Sequence, residues 1–339
     1  MNKIFCFGEL LLRLSPELDG KWLTQSLMPV YIGGAELNTA TALAKWNVPV
    51  TYCTALPGNY LSKEICEELD KRNINTGRVI FSGNRIGTYY LPQGSDLKNA
   101  GVIYDRAWSS FSELQPGQID WDVVLAHVSW FHFSAISPAL NQNIATICKE
   151  AVEVASKRKI TISVDLNYRS KLWQYGKKPK EIMPALVEHC DVVMGNIWSA
   201  DDLLDIGVDA DIHNKKSKLV YLEHAKKTAE NIMRSFPACK SVANTFRFDD
   251  GDRTSYYASF NINGGQFVSQ EFSTNKVVDK VGSGDCFMAG LIYGFYNKLG
   301  SREIIDFASA AAFNKLFVKG DATTSTVEEI MALVKDTVE

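Results

Sequence analysis

The residues best equipped for chemistry lie at 277–287, VVDKVGSGDCF. Asp279 and Asp285 flank Gly282, Ser283 and Gly284, and Phe287, Leu291 and Phe295 follow at helical spacing. A helix that starts here leaves the amides of 282–285 without intrahelical partners, and glycines let a ligand approach them closely. Together with the helix dipole these amides form an anion site of the kind that holds phosphate. A carboxylate beside such a site repels phosphate, so binding alone does not account for Asp285. It suits a general base that takes a proton from a hydroxyl attacking that phosphate. The competing explanation is an aspartate that only caps a helix after a glycine turn.

Two further stretches could share a site with it. YIGGAELNTATALAKW sets Gly33 and Gly34 before a helix with Glu36 and Asn38 in its first turn. This fits either a tight capped turn or backbone approach to a polar ligand. SVDLNYRSKLW ends an apolar run on Asp165, Asn167 and Arg169. His127 and His132 fall in VLAHVSWFHF, where core histidines are expected, and no His or Cys spacing suggests a metal centre.

The elements that must position these groups alternate. Strand-like runs at KIFCFGELLLRL, VTYCTALPG, DVVLAHVSWFHFSAI, ITISVDLN and DVVMGN are interleaved with helical patterns. CKSVANTFRFDDGDRTSYYASF reads as a hairpin bent at Asp-Asp-Gly-Asp. Such alternation predicts a parallel sheet with helices on both faces, and ligands at the carboxyl ends of its strands. Residues 84–108 break the pattern as strand–turn–strand, which predicts a β flap over the sheet edge, joined by residues near 10–32.

The totals set limits. The chain has 339 residues, 46% of them hydrophobic and 22% charged, with a net charge of −3. That is enough for a large core, and a poor electrostatic match to nucleic acid or to an anionic membrane. No apolar run is long enough to span a bilayer. The seven scattered cysteines form no CxxC pair, as expected of reduced thiols in a cytosol. The amino-terminal stretch reads as a strand rather than a secretion signal.

In this order and separation, GGAELNTATALA and VDKVGSGDCFMAGLIYGF resemble the two signatures of the ribokinase-like (PfkB) sugar kinases, across essentially the whole chain. With GELLLRLSP, GTYY, YDRAWSS and VDLNYRSKLW, the chain is most similar within that family to kinases of 2-keto-3-deoxygluconate. The resemblance implies an α/β fold: a ribokinase-like three-layer sandwich with a mainly parallel central sheet, helices on both faces and a small β lid. One kinase domain would cover 1–339, with the lid from about 10–32 and 84–108. It implies transfer from ATP, with Mg²⁺, to the O6 hydroxyl of the sugar. Asp285 would be the base, and Gly282, Ser283 and Gly284 the anion hole. Gly33, Gly34, Asn38, Tyr89, Tyr104, Arg106, Asn167, Arg169 and Asp321 would hold the sugar. Asn196, Thr245, Arg247 and Asn314 would meet the nucleotide. Two guanidinium groups, Arg106 and Arg169, suit a sugar carboxylate, unless each pairs with a local acid such as Asp105 or Asp165.

The sequence departs from the family in places. Lys280 and Ser283 replace the usual Thr and Ala of Asp-Thr-x-Gly-Ala-Gly-Asp. Ser199 stands where an Asn-x-x-Glu element has Glu, so the metal ligands stay unassigned, with Asp201 and Asp202 close enough to act through water. FDDGDRTSYY replaces a glycine-rich nucleotide loop, and its acidic run is expected to face solvent. A kinase of a neutral ketose such as fructose is one alternative, and a sugar-binding protein with impaired catalysis another. Exposed edges on the flap predict a homodimer formed through it.

Overall fold

In the computed structural model, residues 3–16, 27–92, 101–215 and 217–335 are described. The parallel part of the central sheet runs in spatial order Ser241–Asp250, Val192–Gly195, Thr161–Asp165, Trp130–Ser134, Ile4–Phe7, Val50–Cys53 and Ile74–Asn75. The amino-terminal strand lies inside the sheet, aligned from Ile4 with Trp130 on one side and with Val50 on the other. Strand order reverses there, which opens a crevice at the carboxyl ends. Ser241–Asp250 folds back on Arg253–Ile262 as the expected hairpin, with Asp250 opposite Arg253 and Gly251 in the turn at φ 59°. Gly265–Val268 and Phe272–Thr274 pair with its second strand, antiparallel.

Alternation along each strand divides the core into two layers. Ile4, Cys6, Tyr52 and Met194 pack with the helices Ala35–Lys45, Ser283–Tyr296 and Ser301–Lys315. Phe5, Phe7, Phe131, Phe133 and Val164 face the other way, against Gln142–Lys157 and Pro179–Val187. The sheet thus lies between two helical layers, a ribokinase-like α/β architecture.

A second, four-stranded sheet is built from Val30–Gly33, Leu11–Leu14, Gly87–Tyr90 and Ile103–Asp105 in that order. Its strands come from the two segments expected to form the flap. Residues 17–26 and 93–100 of those segments lie outside the described residues.

Two local readings are corrected, and one helix is added. KIFCFGELLLRL is two strands in different sheets, Ile4–Phe7 and Leu11–Leu14. The chain leaves the first at Gly8, and the Glu9 carboxylate turns to Arg106. DVVLAHVSWFHFSAI is a strand only at Trp130–Ser134. Its start is a short helix, Trp121–Val124, whose Val123 amide is capped by Asp120 Oδ1 at 3.1 Å, and His127 is exposed beyond it. IWSADDLL forms an unanticipated helix, Ile197–Leu204. All seven cysteines are free thiols, and only Cys66 is not fully buried. No helix among the described residues is long and apolar enough to cross a membrane.

Candidate functional site

The helix Ser283–Tyr296 starts at Gly282, which holds φ 79°. A Cβ on Gly282 would lie 1.7 Å from the Asp321 carbonyl oxygen, so only glycine fits. The first bond of the helix runs from the Cys286 amide to the Gly282 carbonyl, 2.9 Å. The amides of Ser283, Gly284 and Asp285 precede it, and all three residues line one deep cleft. The Ser283 hydroxyl donates to the Ala312 carbonyl at 2.9 Å, leaving its amide as the group able to meet a ligand. A Cβ on Gly284 would meet only Met194 Cε, at 3.9 Å. Nothing among the described residues requires glycine there, so what the missing side chain keeps open is the cleft.

Asp285 is 8% exposed, and its Oδ2 accepts from Asn38 Nδ2 at 2.7 Å. Burial pushes its carboxyl up from 3.8 to about 7; the Asn38 bond opposes this, Glu36 adds to it, Arg169 opposes it and Asp321 adds to it. A carboxylate that titrates near neutrality is suited to accept a proton. Asn38 reaches it because Ala35–Lys45 packs beside Ser283–Tyr296, an approach also marked by the Thr39 hydroxyl donating to the Asp285 carbonyl at 3.2 Å. Glu36, on the same turn, also lines the cleft. It accepts from the Ser134 amide (2.9 Å) and hydroxyl (2.7 Å), pinning the helix to the sheet.

Around Asp285 the cleft is lined by Gly34, Asn38, Tyr89, Tyr104, Arg106, Asn167, Arg169, Asn196, Thr245, Arg247 and 282–284. These come from the small sheet, from two helix starts, and from three central strands or the loops that follow them. The cleft does not reach Gly33, Asp321 or Asn314. Asp321 is buried beneath the Gly282 turn with Arg13, Gly33 packs against its carboxylate, and the Asn314 side-chain Oδ1 accepts from the Ser325 hydroxyl.

Arg106 does not pair with its neighbour Asp105. Its Nε meets Glu9 Oε2 at 2.6 Å, both side chains being buried, while Asp105 pairs with Arg85 at 2.7 Å. Glu9 also accepts from the Ser109 hydroxyl and lines the cleft. Sequence reasoning did not single it out, although a lone glutamate in FGELLLRL was the available signal. Arg169 Nη1 donates to the Tyr168 carbonyl at 2.9 Å.

Toward Thr245 and Arg247 the cleft meets Asn196, whose side chain caps Ile197–Leu204 by accepting from the Ser199 amide at 2.8 Å. Asp201 is held by Lys180 at 3.4 Å, whereas Asp202 lines an adjoining recess with Ser199 and Arg169. Burial raises the Asp202 carboxyl. Among the described residues, no three His, Cys, Asp or Glu side chains group into a metal site. Lys280 lines the cleft, but its ammonium pairs with Asp249 at 2.8 Å. The acidic run 249–252 is exposed, as expected. His132 is buried, with Nδ1 3.0 Å from Ser163 Oγ, and burial lowers its pKa to about 3.

Comparison with known proteins identifies the family and the fold. The model of the pfkB family carbohydrate kinases matches residues 1–328. A 2-dehydro-3-deoxygalactonokinase of Haloferax volcanii is 25% identical over 337 residues, 98% of this chain and 96% of its own. The crystal structure of a 2-dehydro-3-deoxygluconokinase from Thermotoga maritima is 32% identical and superposes with a TM-score of 0.88 over 98% of this chain and 99% of that one. A fructokinase from Xylella fastidiosa with bound ATP, 17% identical, shares the fold at a TM-score of 0.75 over 99% of both chains. A match over residues 1–328, nearly the whole chain, makes this protein a member of the pfkB family of carbohydrate kinases.

Proposed function

We propose that this kinase transfers the γ-phosphoryl group of ATP to the O6 hydroxyl of 2-keto-3-deoxygluconate. The observation that carries this reading is the convergence, in one cleft, of Asp285, the amides at the start of its helix and the guanidinium groups of Arg106 and Arg169. Asp285 takes the proton of the attacking hydroxyl, with Asn38 holding its carboxylate in place. The amides of 283–285 receive the oxygens of the transferred group, in the space Gly284 leaves clear. Arg106 and Arg169 bind the sugar carboxylate, and the small sheet acts as a lid that keeps water out. When bound, ATP supplies the phosphoryl group and Mg²⁺ screens its charge. One carboxylate beside the phosphates is enough for Mg²⁺, which keeps most of its waters, and Asp202 fits that part. The kinase works as a homodimer through the lid, whose edge strands expose Val30 and Ile103.

Glu9 neutralises part of the Arg106 charge, which favours a second reading, a neutral ketose such as fructose. Arg169 separates the two, because removing Arg106 would strand Glu9 as an unpaired buried charge. ADP release is measured over a panel of keto-deoxy sugar acids of both epimers, fructose and ribose. The acid sugar should be the best substrate, and Arg169→Ala should raise its KM about tenfold or more, as for a lost charge-assisted hydrogen bond. A higher kcat/KM for fructose, with equal losses in the variant, would establish the ketose instead.

A further inference from the structure

We propose that Arg13 is a positioning residue for phosphoryl transfer, locking the turn that carries the anion-binding amides onto the base of the small sheet. This rests on the reading that those amides hold the transferred group.

The Arg13 side chain is fully buried between two fully buried carboxylates. Nη2 lies 2.5 Å from Asp279 Oδ2, Nη1 3.3 Å from Asp279 Oδ1, and Nε 2.9 Å from Asp321 Oδ1. Each carboxylate belongs to one wall of the Gly282 turn. Asp279 Oδ1 accepts the Val281 amide at 3.1 Å, and Oδ2 accepts the Gly320 amide at 3.3 Å. The Asp321 carbonyl packs directly beneath Gly282. One guanidinium therefore joins the segment entering the turn, through a two-pronged hydrogen bond to Asp279, to the segment under it, through an ion pair with Asp321.

The small sheet supplies the rest of this seam. Arg13 lies 4.7 Å above the Tyr31 ring, and the Tyr89 hydroxyl donates to Asp321 Oδ2, so three strands of that sheet converge on the turn. Lys315 is the other buried cation beside this turn, bonded to the Val318 carbonyl at 2.9 Å. Two cations then balance two carboxylates, and loss of Arg13 leaves a buried excess of negative charge under the anion site. The cleft is not lined by Arg13, Asp279 or Asp321, so their influence on catalysis is through the turn and not by contact.

The test compares Arg13→Gln and Arg13→Lys with the parent enzyme. With the best sugar acceptor, R13Q should lose about tenfold to a hundredfold in kcat, the scale of a small misplacement, while the sugar KM stays within about threefold. R13K, which keeps the charge without the fork, should fall between. Hydrogen exchange of the 281–285 amides should speed up in both variants, a measurement that needs no turnover. Should R13Q not fold, R13K decides the matter by the same two readouts. An unchanged kcat with a lowered Tm makes Arg13 purely structural, and a raised KM with normal kcat makes it a binding residue; either overturns the proposal. If no sugar supports turnover in the parent enzyme, the acceptor assignment fails, while unchanged exchange at 281–285 would still refute the positioning role.

Discussion

Asp285→Asn should cut turnover by orders of magnitude and at the same time make the protein more stable at neutral pH. The Asp285 carboxyl is raised from 3.8 to about 7, chiefly by burial. Between those two values the folded chain binds a proton that the unfolded chain releases, so stability falls as pH rises through the window, and the full cost is present above pH 7. A shift of about 3 units corresponds to about 4 kcal/mol. Asparagine keeps the shape and can still accept the Asn38 bond, but it has no charge to desolvate. The variant should therefore gain about 1–4 kcal/mol above pH 7. For a chain of this length the unfolding entropy is about 0.7 kcal/mol/K, which makes that gain a rise of about 1–6 °C in Tm. Turnover should drop about 10²–10⁴-fold with loss of the base. Calorimetric scans from pH 4 to 8 and an ADP-release assay read the two effects, with the stability difference vanishing near pH 4. A variant that melts no higher than the parent at pH 8, or that turns over within tenfold of it, would refute the assignment of Asp285 as a buried base.

The acid limb of kcat/KM should fall about tenfold per unit below pH 7, as the Asp285 base is protonated. Asn38→Ala removes a 2.7 Å bond to the charged form, worth about 1.5–3 kcal/mol, and should move that limb up by about one to two units; a limb that stays in place would contradict the pairing. The two glycines of the turn should respond oppositely to alanine. Gly282→Ala meets both a positive φ and the Asp321 carbonyl and should cost about 3 kcal/mol or more, seen in a denaturant titration. Gly284→Ala should keep or gain about 0.5–1 kcal/mol in the helix yet raise the KM for ATP, and unaltered ATP kinetics would show that its open space is not a ligand space.

How far the sequence could be read depended on how local the physics was. Apolar alternation gave the order of strands and helices, and the hairpin at 241–262 followed from its Asp-Asp-Gly-Asp bend. The glycine turn before Asp285 was equally visible, since a glycine turn and a helix start are properties of neighbouring residues. Where two long-range partners compete, local pattern failed. FGELLLRL has the alternation of one strand, but Gly8 and Glu9 divide it between two sheets because Glu9 is drawn to a guanidinium 97 positions along the chain. A neighbouring acid was the alternative partner weighed for Arg106, yet Asp105 belongs to Arg85 and Arg106 meets Glu9.

The sequence by itself determined which groups could act as base, anion hole and carboxylate clamp, because residue type and helix-start chemistry are local. Only the tertiary structure decided that Asp285 is buried against Asn38 and thus titrates near neutrality, and that Arg13, Asp279 and Asp321 form one seam beneath it. Desolvation and charge pairing are set by what surrounds a side chain in space, and here those surroundings come from segments more than 240 residues apart.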